Sequence, residues 1–451
     1  MSRLADELPL NEQPYEPFDQ SEDAAADPPS HRELYEARNF FWLMLHQVLL
    51  RIGWIFKTES IVMPMFLSMI GGSSLMIGLL PVLNRLGFSV PPLLYAQPLK
   101  LSPLKQRMVA RSSLLMAAPF AVLSAVWFSG AWQTTGGSAA WWMPWLFLAV
   151  YGWFFCLTGV NQLGMHALHG KLIRADLRGR LYTAAVIVGA PVAVVSAWLL
   201  LPGWLKLPDG GFGWIFGFTA LAFLASGSML LFTREAPDRL TEPPTKPLQK
   251  FVDAWRVVRD DPRARPVAIL SGLVCFNFML FPHYQSLYPR RPGGTVVDYL
   301  GEIMLWVCVQ NAATAVVSLV AGPLADWMGN RAALRCSTLG LASGPLIALL
   351  LAQASPEAAR EQFYLVFMPL GFMPVTIKLL MNYTLEAAPD DDHPQYVAAI
   401  GMCIAMPVIV GAPVVGYLVG RFGAAPVFIG GLAVLLLAFL QSLRLPEPRH
   451  G

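Results

Sequence analysis

Long apolar runs separated by short polar breaks fill most of this chain. A helix needs roughly 20 apolar residues to cross the hydrocarbon core of a bilayer, and it pairs all of its own backbone groups there. By that measure the pattern predicts twelve spanning helices. Six cover residues 41–69, 73–98, 107–129, 141–169, 178–203 and 211–233, and six cover 265–288, 299–325, 332–352, 362–387, 393–419 and 424–443. Several exceed the minimum length, so tilts or kinks are expected. Pro64, Pro81, Pro191, Pro282, Pro369, Pro374, Pro407 and Pro413 lie inside these runs and mark places for kinks.

A polar stretch from Arg234 to Pro266 divides the runs six and six. The expected organisation is a tail over 1–38, a six-helix bundle over 39–233, a linker over 234–264, a second six-helix bundle over 265–443 and a short tail over 444–451. In the linker, Phe251, Trp255 and Val258 fall at helical spacing. They fit an amphipathic helix on the membrane surface or a plain linker helix. The first 38 residues are acidic and Pro-rich, the opposite of a cleavable signal peptide. They read as a disordered, solvated tail.

Seven residues are spelled twice. Val186-Ile187-Val188-Gly189-Ala190-Pro191-Val192 recurs as Val408-Ile409-Val410-Gly411-Ala412-Pro413-Val414, 222 positions later. The copies fall in the fifth and eleventh predicted spans. An even separation of six spans gives both the same direction, so the repeat is parallel rather than inverted.

Composition fits a membrane setting. Charged residues are 14% of the chain, hydrophobic residues 55%, and mean hydropathy is +0.51, whereas soluble proteins carry roughly a quarter charged residues. A net charge of +3 gives no nucleic-acid signal. Cys156, Cys275, Cys308, Cys336 and Cys403 are scattered without C-x-x-C spacing, so no disulfide framework or metal site is indicated. Basic residues gather in alternate loops, as with Lys100, Lys105 and Arg107, then Lys171, Arg174, Arg178 and Arg180, then the linker, then Arg331 and Arg335. By the positive-inside rule this puts both termini in the cytoplasm of a cell (inner or plasma) membrane. Arg290-Arg291 is the exception.

After the eighth run stands Gly322-Pro323-Leu324-Ala325-Asp326-Trp327-Met328-Gly329-Asn330-Arg331. With the six-plus-six layout it resembles the G-x-L-A-D-R-x-G-R-R loop signature of the major facilitator superfamily, with Trp327 and Asn330 in place of basic residues. The resemblance covers about residues 40–443. It implies an all-α membrane fold of two parallel six-helix pseudo-repeats, with the first, fourth, seventh and tenth spans around a central cavity. It also implies a gating loop built on Gly322, Asp326, Gly329 and Arg331. Gly322 would let two helices approach, Gly329 would permit a tight turn, Asp326 would accept from a neighbouring helix N-terminus, and Arg331 would hold the inner surface. The first-half counterpart around Leu104 keeps basic residues but lacks the Asp and the glycines. Arg178-Gly179-Arg180 resembles the R-G-R that often precedes the fifth span. Gly189-Ala190-Pro191 is similar to the antiporter G-P motif without most of its flanking glycines. The embedded arginine that many proton-coupled members carry in the fourth span is missing.

Ionisable groups at membrane depth need a partner or a purpose. The first span has Arg51, Lys57 and Glu59, and the tenth has Lys378 one helical turn from Asn382. On an unbroken helix Arg51 and Glu59 share a broad face, while Lys57 and Glu59 point apart. Asn161 and Gln162 in the fourth span, Asn277, His283 and Tyr284 in the seventh, and Gln310 and Asn311 in the eighth add polar groups. His283 is placed near the outer interface. The substrate-cavity candidates are Lys57, Glu59, Asn161, Gln162, Asn277, Tyr284, Gln310, Asn311, Lys378 and Asn382; for Asn161 and the other amides, gluing helices together is the equal alternative.

These residues point to a secondary transporter moving a small organic solute by alternating access, with the bilayer as its environment. Three embedded cations against one carboxylate favour an anionic or zwitterionic solute, and Glu59 is the candidate for proton coupling. The alternatives are multidrug-type efflux, suggested by the many Trp, Phe and Met residues, and a non-transporting receptor or accessory protein on the same fold. No catalytic constellation, cofactor motif, metal-ligand set or ATP-binding G-x-x-x-x-G-K-[ST] occurs, so neither an enzyme nor a cofactor is expected.

Overall fold

A computed structural model describes residues 31–134, 138–237, 247–289, 300–389 and 392–446. The first 30 residues of the acidic tail, the Arg290-Arg291 pair, linker residues 238–246 and the last five residues lie outside the described set. Among the described residues, regular structure is helical apart from one isolated bridge between Gln133 and Ala139.

In the first half, span one is α1 (His31–Phe56) and α2 (Val62–Met69), and span two is α3 (Ser74–Leu101). Span three is α4 (Lys105–Leu115) and α5 (Ala117–Phe128). Spans four, five and six are α6 (Met143–Leu172), α7 (Ala175–Leu205) and α8 (Phe212–Met229). A linker helix, α9 (Pro247–Asp260), follows. Span seven is α10 (Ala264–Val274), α11 (Phe276–Leu280) and a 3-10 stretch over Phe281–Leu287. Spans eight and nine share α12 (Leu300–Gln353). Span ten is α13 (Pro356–Gln362), 3-10 turns over Phe363–Phe367 and Pro369–Gly371, and α14 (Phe372–Ala387). Spans eleven and twelve are α15 (His393–Phe422) and α16 (Ala424–Leu443).

Eleven of these helices are long and apolar enough to cross a membrane, one of them the 53-residue Gly301–Gln353. Gly329 breaks that helix at φ 85°, ψ 156°, conformations an L side chain avoids. It therefore holds two spans, and the total is twelve. With an even number, the start of α1 and the end of α16 lie on one face, called here the terminal side; the opposite face is the far side.

The tail expected through residue 38 already belongs to α1 from His31 onward. Its polar residues are tied down by the neighbouring spans. Glu36 accepts from the Arg174 N–H at 2.8 Å, Arg38 donates to the Phe232 carbonyl at 3.0 Å, and Asn39 exchanges bonds with the Arg234 backbone at 2.8 and 2.9 Å. The linker helix packs Val257 against Ala264, Ala388 and Tyr396, buries Ala254 and leaves Trp255 exposed.

The first half has an aromatic core. Phe66 meets Phe147, Phe212 and Phe216 with ring centres 5.1, 4.9 and 4.8 Å away, and Phe154 meets Phe120 and Phe223 at 5.0 and 5.4 Å. Such rings interlock without polar atoms to satisfy. The halves meet along two edges, α3 against α15 and α7 against α12. The repeated strings sit on these edges in matching environments. Gly189 faces Val48 and Arg51 of span one, and Gly411 faces Met279 of span seven. Ala190 and Ala412 are both buried, while Val188 and Val410 are both exposed.

On the far side the α3–α15 edge is closed by small residues. A Cβ on Gly78 would stand 2.6 Å from the Ala412 carbonyl oxygen, and one on Gly416 would stand 2.6 Å from that of Ser74. Toward the terminal side the same two helices part around a void of about 740 Å³ bounded by Phe88, Pro92, Leu163 and Val397. We therefore expect Gly78→Ala and Gly416→Ala each to lower the stability of the detergent-purified protein by about 1–3 kcal/mol, the usual range for overpacking. The measurement is thermal unfolding. Gly170→Ala, whose added Cβ meets nothing within 4 Å, supplies the baseline.

Candidate functional site

The site grows from a break in span one. Helical pairing stops after Phe56 and resumes at Val62. The intervening turn is held by the Thr58 hydroxyl on the Ile55 carbonyl at 2.6 Å and by the Met63 N–H on the Thr58 carbonyl at 3.1 Å. The Ile61 carbonyl, which also accepts from the Met65 N–H at 3.2 Å, and the Ser60 carbonyl are reached from the other half. Gln285 of span seven donates its amide to the Ile61 and Ser60 carbonyls at 2.6 and 3.3 Å, and the Ser60 hydroxyl donates to Gln310 of span eight at 2.5 Å. Unwound backbone survives at membrane depth only where protein supplies such partners.

The break reorients two charges. Lys57 and Glu59, expected to point apart on a regular helix, form an ion pair at 3.1 Å because the helix has unwound between them. Lys57 is wholly buried. Its ammonium lies 3.3 Å from the centre of the Trp54 ring and 4.6 and 4.8 Å from those of Phe154 and Phe155. This is a desolvated cation–π environment. The second carboxylate oxygen of Glu59 accepts from Asn84 of span two at 2.7 Å. The Glu59 side chain keeps 23% exposure while that of Lys57 has none. The carboxylate is therefore the accessible member of the pair.

One further cation lies beside this centre, and two more lie within reach of each other. Arg85, next to Asn84, lies with its guanidinium carbon 3.9 Å from the ring centre of Phe278 in the opposite half, and its Nε is buried without a hydrogen-bond partner. Arg85 is within electrostatic reach of Glu59. Arg51 is half-buried with its stem at Gly189, and it is within electrostatic reach of Lys378 on α14. Lys378 and Asn382 are both exposed on one face of α14.

The expected residues thus divide. Lys57, Glu59 and Gln310 meet at the break, and Lys378 and Asn382 share an open face with Arg51 opposite. Asn311 is half-buried and donates to the Val307 carbonyl of its own helix at 2.9 Å. Tyr284 donates to Asn277 at 3.4 Å inside the second half, where Asn277 and His283 are fully buried. His283 stands near the far-side end of span seven, as expected, with its ring enclosed in protein; neither of its ring nitrogens has a hydrogen-bond partner. Asn161 does not face the others. Its amide reaches Val109, Ser112 and Ser113 at 3.2, 3.1 and 2.5 Å and fastens span four to span three, and Gln162 beside it is exposed. Asn84, Arg85 and Gln285 were not anticipated, although each interrupts an apolar run.

In the loop motif, Gly329 makes the turn as expected. Gly322 makes no close approach, since a Cβ there would meet nothing within 4 Å. Asn330 donates to Glu386 at 2.8 Å and Arg331 to the Leu445 carbonyl at 3.2 Å, so these two reach spans ten and twelve of their own half. Asp326 and Trp327 are exposed.

Comparison with known proteins follows the same lines. Residues 292–451 match the family model of the Major Facilitator Superfamily. No curated protein matches the chain in sequence. A mutant form of the nucleoside transporter NupG is similar in structure with a TM-score of 0.66 and 12% identity, over 91% of this chain and 100% of that one. A POT family transporter in complex with a thioalcohol-conjugated peptide gives 0.63 and 11%, over 90% and 95%. A bacterial homologue of the lysosomal transporter Spinster, inward-facing and occupied, gives 0.61 and 11%, over 91% and 96%. At such identities the likeness is one of fold. The family match over the second half and the structural likeness over nine-tenths of the chain agree on a membrane protein with the major facilitator fold.

The ion pair at the break yields a double-mutant prediction. Lys57→Met leaves the Glu59 carboxylate without its counter-charge and is expected to destabilise by about 3–5 kcal/mol, whereas Lys57→Met with Glu59→Gln is expected to recover much of that loss. Chemical or thermal unfolding of the three variants against the parent measures the coupling.

Proposed function

We propose that this chain is a secondary transporter that carries a small organic solute of anionic preference between its two halves by alternating access. The observation that carries the reading is the charge arrangement at the junction. Arg85 stands within electrostatic reach of Glu59, which already neutralises Lys57, and Arg51 of the first half stands within reach of Lys378 of the second. An anionic group entering there gains charge-assisted hydrogen bonds from both halves, so binding would draw the halves together.

The moving bodies are the bundles 39–233 and 265–443, with 234–264 between them. The far-side glycine contacts and the terminal-side void fit a conformation open toward the termini. The basic loops make that the cytoplasmic side of a cell membrane. The fold neighbours include a homologue of the iron transporter ferroportin in both inward-facing and outward-facing states, which supports alternation on this architecture. In the opposite state the segment from Gly322 to Arg331 is the natural latch. Asp326 is exposed and Gly322 uncrowded here. Glu59 is the group suited to carry a coupling proton, because protonation would release both Asn84 and Lys57.

A thermal-shift screen of the purified protein against sugars, amino acids, nucleosides, organic anions and lipophilic cations tests the solute class, since binding raises apparent stability by mass action. We expect organic anions to score. Lys378→Ala should weaken the hit by about tenfold or more, the worth of one charged hydrogen bond. Stabilisation by lipophilic cations alone would overturn the anionic preference. For coupling, uptake into proteoliposomes should depend on pH in the parent and lose that dependence in Glu59→Gln; an unchanged pH profile would remove Glu59 from the mechanism.

A further inference from the structure

A second cavity lies away from the junction, on the outer flank of the first half. Spans two, three and four enclose a groove of about 720 Å³. Arg107 and Arg111 of α4 line it together with Tyr95, Leu115, Trp153 and Cys156. The two arginines are four residues apart, one helical turn, and so point the same way. Both are exposed, and neither has a hydrogen bond or ion pair among the described residues.

The neighbouring charges, by contrast, are matched. Glu235 accepts from the Lys105 and Gln106 N–H groups at 3.0 and 2.6 Å and pairs with Lys171 at 2.7 Å. That carboxylate neutralises the start of α4 and leaves Arg107 and Arg111 directed into the groove. Arg111 sits six residues into the helix, about 9 Å along its axis, where a guanidinium calls for a counter-charge. From Arg107 the groove runs to Leu115 and Trp153, about 12 Å deeper. It is basic at the membrane surface and apolar toward the middle.

We propose that this groove is a binding site for an anionic phospholipid of the leaflet on the terminal side. The phosphate lies between Arg107 and Arg111, whose planar forks suit it, and an acyl chain lies along Leu115 and Trp153. Basic pockets between spanning helices are suited to such headgroups. The site is separate from the solute junction, and its occupancy does not depend on what the junction carries.

The test uses the full chain, purified in detergent and stripped of lipid. Dioleoylphosphatidylglycerol, dioleoylphosphatidylcholine or glycerol phosphate is added, and bound molecules are counted by native mass spectrometry. Phosphatidylglycerol should be retained over phosphatidylcholine, and Arg107→Gln with Arg111→Gln should weaken its retention by roughly tenfold or more, what two interfacial arginines contribute. A second reading needs no variant. Cys156 is an exposed thiol on the groove wall and Cys336 an exposed thiol elsewhere. Phosphatidylglycerol should slow alkylation of Cys156 by N-ethylmaleimide and leave Cys336 unchanged. Equal retention of phosphatidylcholine, unchanged retention in the double variant, no protection of Cys156, or glycerol phosphate binding as well as the lipid would each overturn the proposal.

Discussion

A carbonyl group freed inside a membrane must find a donor, and that requirement organises this molecule. Span one stops being helical between Phe56 and Val62. The Ser60 and Ile61 carbonyls at the break accept from Gln285, a side chain of the opposite half. One local irregularity thereby joins the two halves, lets Lys57 and Glu59 meet, and turns the carboxylate toward Asn84. A straight span one would keep its backbone bonds to itself and separate the two charges. The aromatic core of the first half then completes the arrangement, because Trp54, Phe154 and Phe155 shield an ammonium that would otherwise be costly at this depth.

Around that centre the halves are related by packing more than by chemistry. Gly189 and Gly411 serve corresponding contacts with spans one and seven. The break in span one has its analogue in span seven, whose last turns tighten into a 3-10 stretch, and in span ten, which does the same before α14. The charged groups follow no such symmetry. Lys57, Glu59 and Arg85 are concentrated in the first half and Lys378 in the second. Small residues fix where helices touch, and the few ionisable groups fix what the junction attracts.

Much of the fold was legible in the sequence, because membrane spans are written as long apolar runs and the duplicated string showed their parallel order. The site was legible only in part. Lys57, Glu59, Lys378 and Asn382 were visible as charges and amides out of place. The pairing of Lys57 with Glu59 was not, since a helical projection assumes the very backbone that this segment abandons. Asn161 stayed open for a different reason: a buried amide in a spanning helix serves equally as glue between helices, and its spacing is the same in either role. Asn84, Arg85 and Gln285 were readable as polar interruptions of apolar runs. Their importance depends on what lies opposite, which no local pattern encodes. The start of α1 at His31 likewise depends on partners at Arg174, Phe232 and Arg234, more than a hundred residues away.

The bond between Gln285 and the Ile61 carbonyl spans 224 residues. During synthesis the first span enters the membrane long before its partner has been made. Until span seven arrives, the nascent first half holds an unwound segment whose Ser60 carbonyl lacks the Gln285 donor, with a charged pair beside it. Water or the insertion machinery must shelter that segment in the interval. Assembly of the second half is therefore also the last step in burying the first.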